Sequence, residues 1–186
     1  MKTIQIFVKA VKATIVFSLS LFLVGMSNSQ ELERQLEVNE DTFRCLTDME
    51  KAEIGIYFVD NILGDVAGTL EIANSEIGGE FPAGSLISLV PSEVMIKHLS
   101  GWNEATDDWE FFELNVSATR SEIKTRGTTE VVNQFGGNCF GCHTLARPEW
   151  DLICGSTHGC APLPITRETI VNIQNSDPRC VNNKGA

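Results

Sequence analysis

The 186-residue chain is expected to fold as an α+β domain, mainly an antiparallel β-sheet with a few short helices. Three observations carry that expectation. Between Ile54 and Val132, short runs of β-branched and aromatic residues alternate with Gly, Pro and Asp-Asn breaks, the pattern of successive short strands. Helical spacing is confined to one stretch before that region and one after it. Beyond position 143, Pro148, Gly155, Gly159, Pro162 and Pro164 rule out long elements. With 42% hydrophobic residues, a chain of this length can bury one real core.

Taken in order, residues 1–29 are expected to be a signal peptide. Lys2, Lys9 and Lys12 precede the uncharged run Ala13 to Met26, and Ser27 and Ser29 suit cleavage before Gln30. That run is shorter than the roughly 20 residues of a membrane-spanning helix, so no stable membrane insertion is expected after cleavage. The mature domain is then 30–186, periplasmic or secreted. Its first eleven residues are acidic and polar. Asp41 to Glu53 carries Phe43, Leu46 and Met49 at helical spacing, with Asp41 or Thr42 as cap, which predicts a short amphipathic helix. Ile54 to Val59 reads as a strand with a turn at Asp60-Asn61. Gly68 to Ala73 alternates and reads as another, and Gly78-Gly79 and Pro82-Ala83-Gly84 punctuate the chain after it. Ser85 to Val90, Val94 to Leu99, Trp109 to Leu114, Ser121 to Thr125 and Thr128 to Val132 supply the remaining strand-like runs of a meander. A last helix is predicted from Arg167 to Gln174, capped by Thr166, with Ile170 and Ile173 facing inward.

Charge narrows the partners. Cleavage would remove three of the 14 basic residues and none of the 25 acidic ones, moving the net charge from −11 to about −14. Such a surface repels nucleic acid and offers no groove for a phosphate backbone; it suits solubility and a basic redox partner.

The chemistry is concentrated in Cys139-Phe140-Gly141-Cys142-His143. Cys-x-x-Cys-His is the arrangement on which one c-type haem is attached. Each thiol adds across one vinyl group, and the next residue lies under the iron, where a neutral imidazole ligates it. A reducible disulfide or half a zinc site also uses Cys-x-x-Cys, but zinc needs a second close pair, whereas Cys154 and Cys160 stand six apart. With Cys139 and Cys142 on haem, Cys45, Cys154, Cys160 and Cys180 remain, an even number suited to two disulfides in an oxidising compartment. Three connectivities are open. Cys154 with Cys160 would close a short turn, and Cys45 with Cys180 would tie the two ends of the domain together.

The position of the motif separates this chain from the small helical cytochromes c, whose haem lies near the mature N-terminus, and from the four-helix cytochrome c prime. A helix, an antiparallel sheet and a late Cys-x-x-Cys-His resemble the cytochrome P-460 family, including its cytochrome c prime beta relatives. Phe81-Pro82-Ala83-Gly84-Ser85-Leu86-Ile87, Asp108-Trp109-Glu110-Phe111-Phe112 and Asn138 to His143 carry the likeness, over roughly residues 54 to 153. The resemblance implies a sheet-built domain packed around one covalent haem c, with an accessible distal face walled by aromatics such as Phe111 or Phe112. Members that oxidise hydroxylamine carry a lysine cross-linked to the porphyrin. The matching position here falls at or near Leu89, and the nearest lysine is Lys97, so the cross-link and that activity are not expected.

His143 is the expected proximal ligand and metal-binding residue. Met49, Met95, His98 and His158 are the other candidates for the iron; His158 is the best placed in sequence, and His98 reads as an exposed strand end. Two uses follow from access to the iron. An open face would bind or convert nitric oxide or a related nitrogen oxide, whereas six-coordinate haem would serve electron transfer. No catalytic residue is assigned by the sequence.

Overall fold

The computed structural model describes residues 33–155, 160, 162–163 and 165–183. Six strands form one antiparallel meander in sequence order: β1 (Glu50–Lys51), β2 (Phe58–Asn61), β3 (Ser85–Val90), β4 (Glu93–Lys97), β5 (Trp109–Val116) and β6 (Ser121–Gly127). The helices are short: α1 (Val66–Ala73), α2 (Cys139–His143) and α3 (Arg167–Asn175). The α+β expectation with a mainly antiparallel sheet is met. Among the described residues no helix is long and apolar enough to cross a membrane. The signal-peptide segment lies outside the described residues.

Strand alternation sorts the side chains into two clusters. In register, Val59 lies opposite Ile87, Ile87 opposite Met95 and Met95 opposite Phe111. These four pack with Trp109, Tyr57, Phe81, Val131 and Ile153 on one face. Phe58, Leu86, Val94, Ile96, Phe112 and Leu114 point the other way, onto Val38, Phe43, Leu46 and Met49 of the N-terminal segment. The first face is partly covered by Cys139, Phe140, Leu89 and Leu152.

Several stretches depart from the sequence expectation. Gly68 to Ala73 is the body of helix α1 rather than a strand. Asp65 caps it by accepting from the Gly68 N–H, and Thr69 uses its hydroxyl on Ser85 and Asn61 at the sheet edge. Those tertiary bonds override a weak alternation. Asp41 to Glu53 is not one helix but two single 3-10 turns, Glu40–Thr42 and Leu46–Asp48, followed by β1. Asn39 caps the first turn. The second is pulled out of helical geometry by the Cys45–Cys180 disulfide and by the Asp177 carboxylate, which accepts from the Leu46 N–H at 3.0 Å. Residues 128–132 form no strand; Val132 makes only an isolated bridge to Asn138. The last helix and its Thr166 cap are as expected.

Candidate functional site

Helix α2 is a single turn held from outside. The Asn138 side-chain oxygen accepts from the Gly141 N–H at 2.6 Å, and its amide donates to the Thr129 carbonyl at 2.9 Å. The Cys139 N–H donates to the Val131 carbonyl at 3.0 Å, which ties the start of the turn to the core. Cys139 and Cys142 are thus on one helical turn, both half-buried and neither disulfide-bonded. The other four cysteines are joined as Cys45–Cys180 and Cys154–Cys160, the favoured pairing. Burial, then the carboxylates of Glu93 and Glu113, push the Cys139 thiol up to about 12, so it is protonated at pH 7.

His143 is fixed by its Nδ1, 2.7 Å from the Leu152 carbonyl oxygen. A carbonyl can only accept, so Nδ1 carries the proton and Nε2 keeps a lone pair. Burial lowers the His143 pKa below its ordinary 6.5, against the Leu152 bond, which raises it. The ring is therefore neutral at pH 7, the form that binds iron. Its centroid is 5.5 Å from that of Phe111, which also lies 6.3 Å from Phe140. Val132, Phe135 and Leu145, on either side of α2 in the chain, are 50%, 43% and 56% exposed. The donor set fits a covalent haem: two free thiols, an imidazole with an open Nε2, an apolar floor of Phe111, Phe140 and Leu89, and nearby exposed apolar side chains that a macrocycle could cover. A surface groove of about 580 Å³ between Leu114, Gln134, Ile173 and Pro178 includes none of the motif residues.

The remaining candidates separate. Phe111 faces the motif, but Phe112 points to the opposite face, 5.3 Å from Phe43, so it walls nothing at this site. Adjacent residues of a strand cannot share a face. Met49 is likewise in the opposite cluster, while Met95 lies beside Phe111. His98 is not an exposed strand end; it is fully buried. Its Nδ1 accepts from the Leu36 N–H at 2.8 Å and its Nε2 lies 2.8 Å from Glu110 Oε2. With both nitrogens occupied and its ring against Trp102, His98 cannot ligate a metal. Burial would raise the Glu110 pKa, but bonds from His98 and Arg126 outweigh it and hold the carboxyl below 4.5. His158 lies outside the described residues.

Sequence reasoning missed two features on the motif's face. Glu93 and Glu113 stand directly opposite each other on β4 and β5, and Glu93 Oε1 and Glu113 Oε2 are buried without a hydrogen-bond partner. Burial, then the charge of Glu113, push the Glu93 carboxyl up to about 7. The second feature is Asp151, buried between Lys97, Trp109 and Phe81. Period-two alternation from Met95 and Phe111 could have placed both glutamates on this face; nothing in the sequence pairs Lys97 with Asp151. The chain matches no protein-family model, no curated protein and no solved structure.

Proposed function

We propose that this protein is an exported monohaem c-type cytochrome of cytochrome P-460-like type, which binds or converts a small ligand such as nitric oxide at an accessible iron. One observation carries the reading: the two cysteines left out of the disulfides share a helical turn with His143, whose Nδ1 is held so that Nε2 stays free. Cys139 and Cys142 would hold the haem by thioether bonds and His143 would ligate its iron. The haem supplies an iron centre that binds small ligands and exchanges one electron. The chain itself excludes water with Phe111 and Phe140, keeps His143 neutral and fixes the plane of its ring. Of the candidate protein ligands, His98 is fully bonded and Met49 is on the other face, which favours an open sixth position over ligation by either of them. Absence of a lysine cross-link is favoured because Leu89 is an apolar residue packed against the core, while the ammonium of Lys97 is engaged by Asp151.

The test is made on protein exported by a host with cytochrome c maturation. Haem should stay with the chain through acid-acetone extraction, digestion should yield one haem peptide, containing Cys139 to His143, and carbon monoxide should shift the ferrous spectrum. A mature mass equal to the bare polypeptide would overturn the reading. A second haem peptide containing Lys97 would restore hydroxylamine chemistry. A low-spin ferrous form indifferent to carbon monoxide would make the protein an electron carrier.

A further inference from the structure

The carbonyl that orients His143 belongs to a backbone segment that local preferences oppose. Asp151 and Leu152 are consecutive residues at φ 47° and 61°, in the left-handed region. Aspartate tolerates that region, whereas leucine is rarely found there. Such a pair persists only where the surroundings over-determine it.

The surroundings here converge on one carboxylate. Asp151 Oδ2 accepts from Lys97 Nζ at 2.5 Å and from the Phe81 N–H at 2.8 Å, while Oδ1 accepts from Trp109 Nε1 at 3.2 Å. Lys97 is 4% exposed and Asp151 8%. Lys97 and Trp109 are themselves cross-strand partners on β4 and β5, with the ammonium 5.4 Å from the indole centroid. From the other side, the Gly79 N–H donates to the Glu149 carbonyl at 2.8 Å. A Cβ at Gly78 (φ 85°) would lie 2.0 Å from that oxygen, so only glycine allows the approach. The sheet therefore grips the residue immediately before Leu152, and Leu152 grips His143.

We infer that Lys97 and Asp151 are positioning residues for His143, holding the left-handed Asp151-Leu152 turn so that the Leu152 carbonyl accepts the Nδ1 proton of the imidazole. The consequence at iron rests on the haem reading above: an acceptor at Nδ1 makes Nε2 a stronger donor, which favours the oxidised metal and lowers the reduction potential. The orientation of the ring does not depend on that reading. A purely structural ion pair would contribute stability and leave the imidazole unchanged.

The experiment compares the wild type with Asp151→Asn, with the double variant Lys97→Met/Asp151→Asn, and with Lys97→Arg. The double variant removes both buried charges, a change that folds tolerate far better than loss of one. Long-range nitrogen NMR of the haem-free chain reads the His143 tautomer, and redox titration of the haem-loaded protein reads the potential. The wild type and Lys97→Arg should show the Nδ1–H tautomer and a common potential. The other two variants should show a mixed tautomer and a higher potential. A folded double variant with the wild-type tautomer and potential would overturn the inference. Should it not fold, Trp109→Phe, which removes one donor to Asp151, decides by the same two readouts. A wild type that takes up no haem would refute the functional reading alone, since the tautomer measurement still settles the positioning role.

Discussion

Glu93 is a carboxyl that gains stability from being protonated. Its folded-state pKa stands near 7 against an ordinary 4.5, so between those values the native chain binds a proton that the unfolded chain has released. By linkage its contribution is complete below pH 4.5 and is lost as pH rises through about 7. Glu93→Gln should therefore flatten the decline of the denaturation midpoint across that window, and equal slopes in variant and wild type would sink this account. The two phenylalanines of β5 make a second prediction for single residues. Phe111→Ala and Phe112→Ala each remove a buried ring and should cost about 3 to 5 kcal/mol, yet under the haem proposal only Phe111→Ala should change the haem spectrum, because only Phe111 faces His143. A spectral change in Phe112→Ala of equal size would place the haem elsewhere. The sequence showed that two aromatic rings stood here, and alternation alone said that one of them must face away. Which one depended on register across three strands, and so did the burial of His98, whose partners Leu36 and Glu110 lie 62 and 12 positions distant.

At the scale of elements, α2 shows how a motif too short to be a stable helix is made to hold one turn. Five residues nucleate poorly on their own, so the cap decides. Asn138→Ala would remove the bond to the Gly141 N–H and leave the Thr129 carbonyl without its donor. The expected loss is about 0.5 to 2 kcal/mol, measured by denaturant unfolding, with a lower yield of haem-loaded protein. A variant as stable as the wild type would mean that the Cys139 N–H bond to Val131 suffices. Of the longer elements, α3 was legible because capping residue, apolar spacing and the following proline agree. Val66–Ala73 was not. Its Gly68 and Thr69 are poor helix formers, and the helix exists because Asp65, Ser85 and Asn61 satisfy it from outside the segment. The stretch from Asp41 failed for the same kind of reason, since Asp177 and Cys180, more than 130 positions on, set its geometry.

For the whole molecule, the meander order was legible because each strand pairs with its sequence neighbour, whereas what covers each face was not. Disulfides close the fold at two very different ranges, and their consequences should differ accordingly. Cys45–Cys180 spans 135 positions and Cys154–Cys160 spans 6. Loop-closure entropy assigns about 5 kcal/mol to the long link and about 2 kcal/mol to the short one. The long link also has local support: Arg179 pairs with Asp177 and donates to Ser121, whose hydroxyl donates to the Phe43 carbonyl. That network would survive reduction, so the measured loss should fall below the entropic figure. The short link is placed differently, with Cys154 Sγ 3.7 Å from His143 Nδ1, so its removal should reach the motif while costing less stability than loss of the long link. Unfolding midpoints of Cys45→Ser/Cys180→Ser and Cys154→Ser/Cys160→Ser decide the matter. The first pair should lose at least twice as much stability as the second, and only the second should alter the His143 tautomer. Equal losses would show that the long link acts through its local contacts rather than by restricting the unfolded chain.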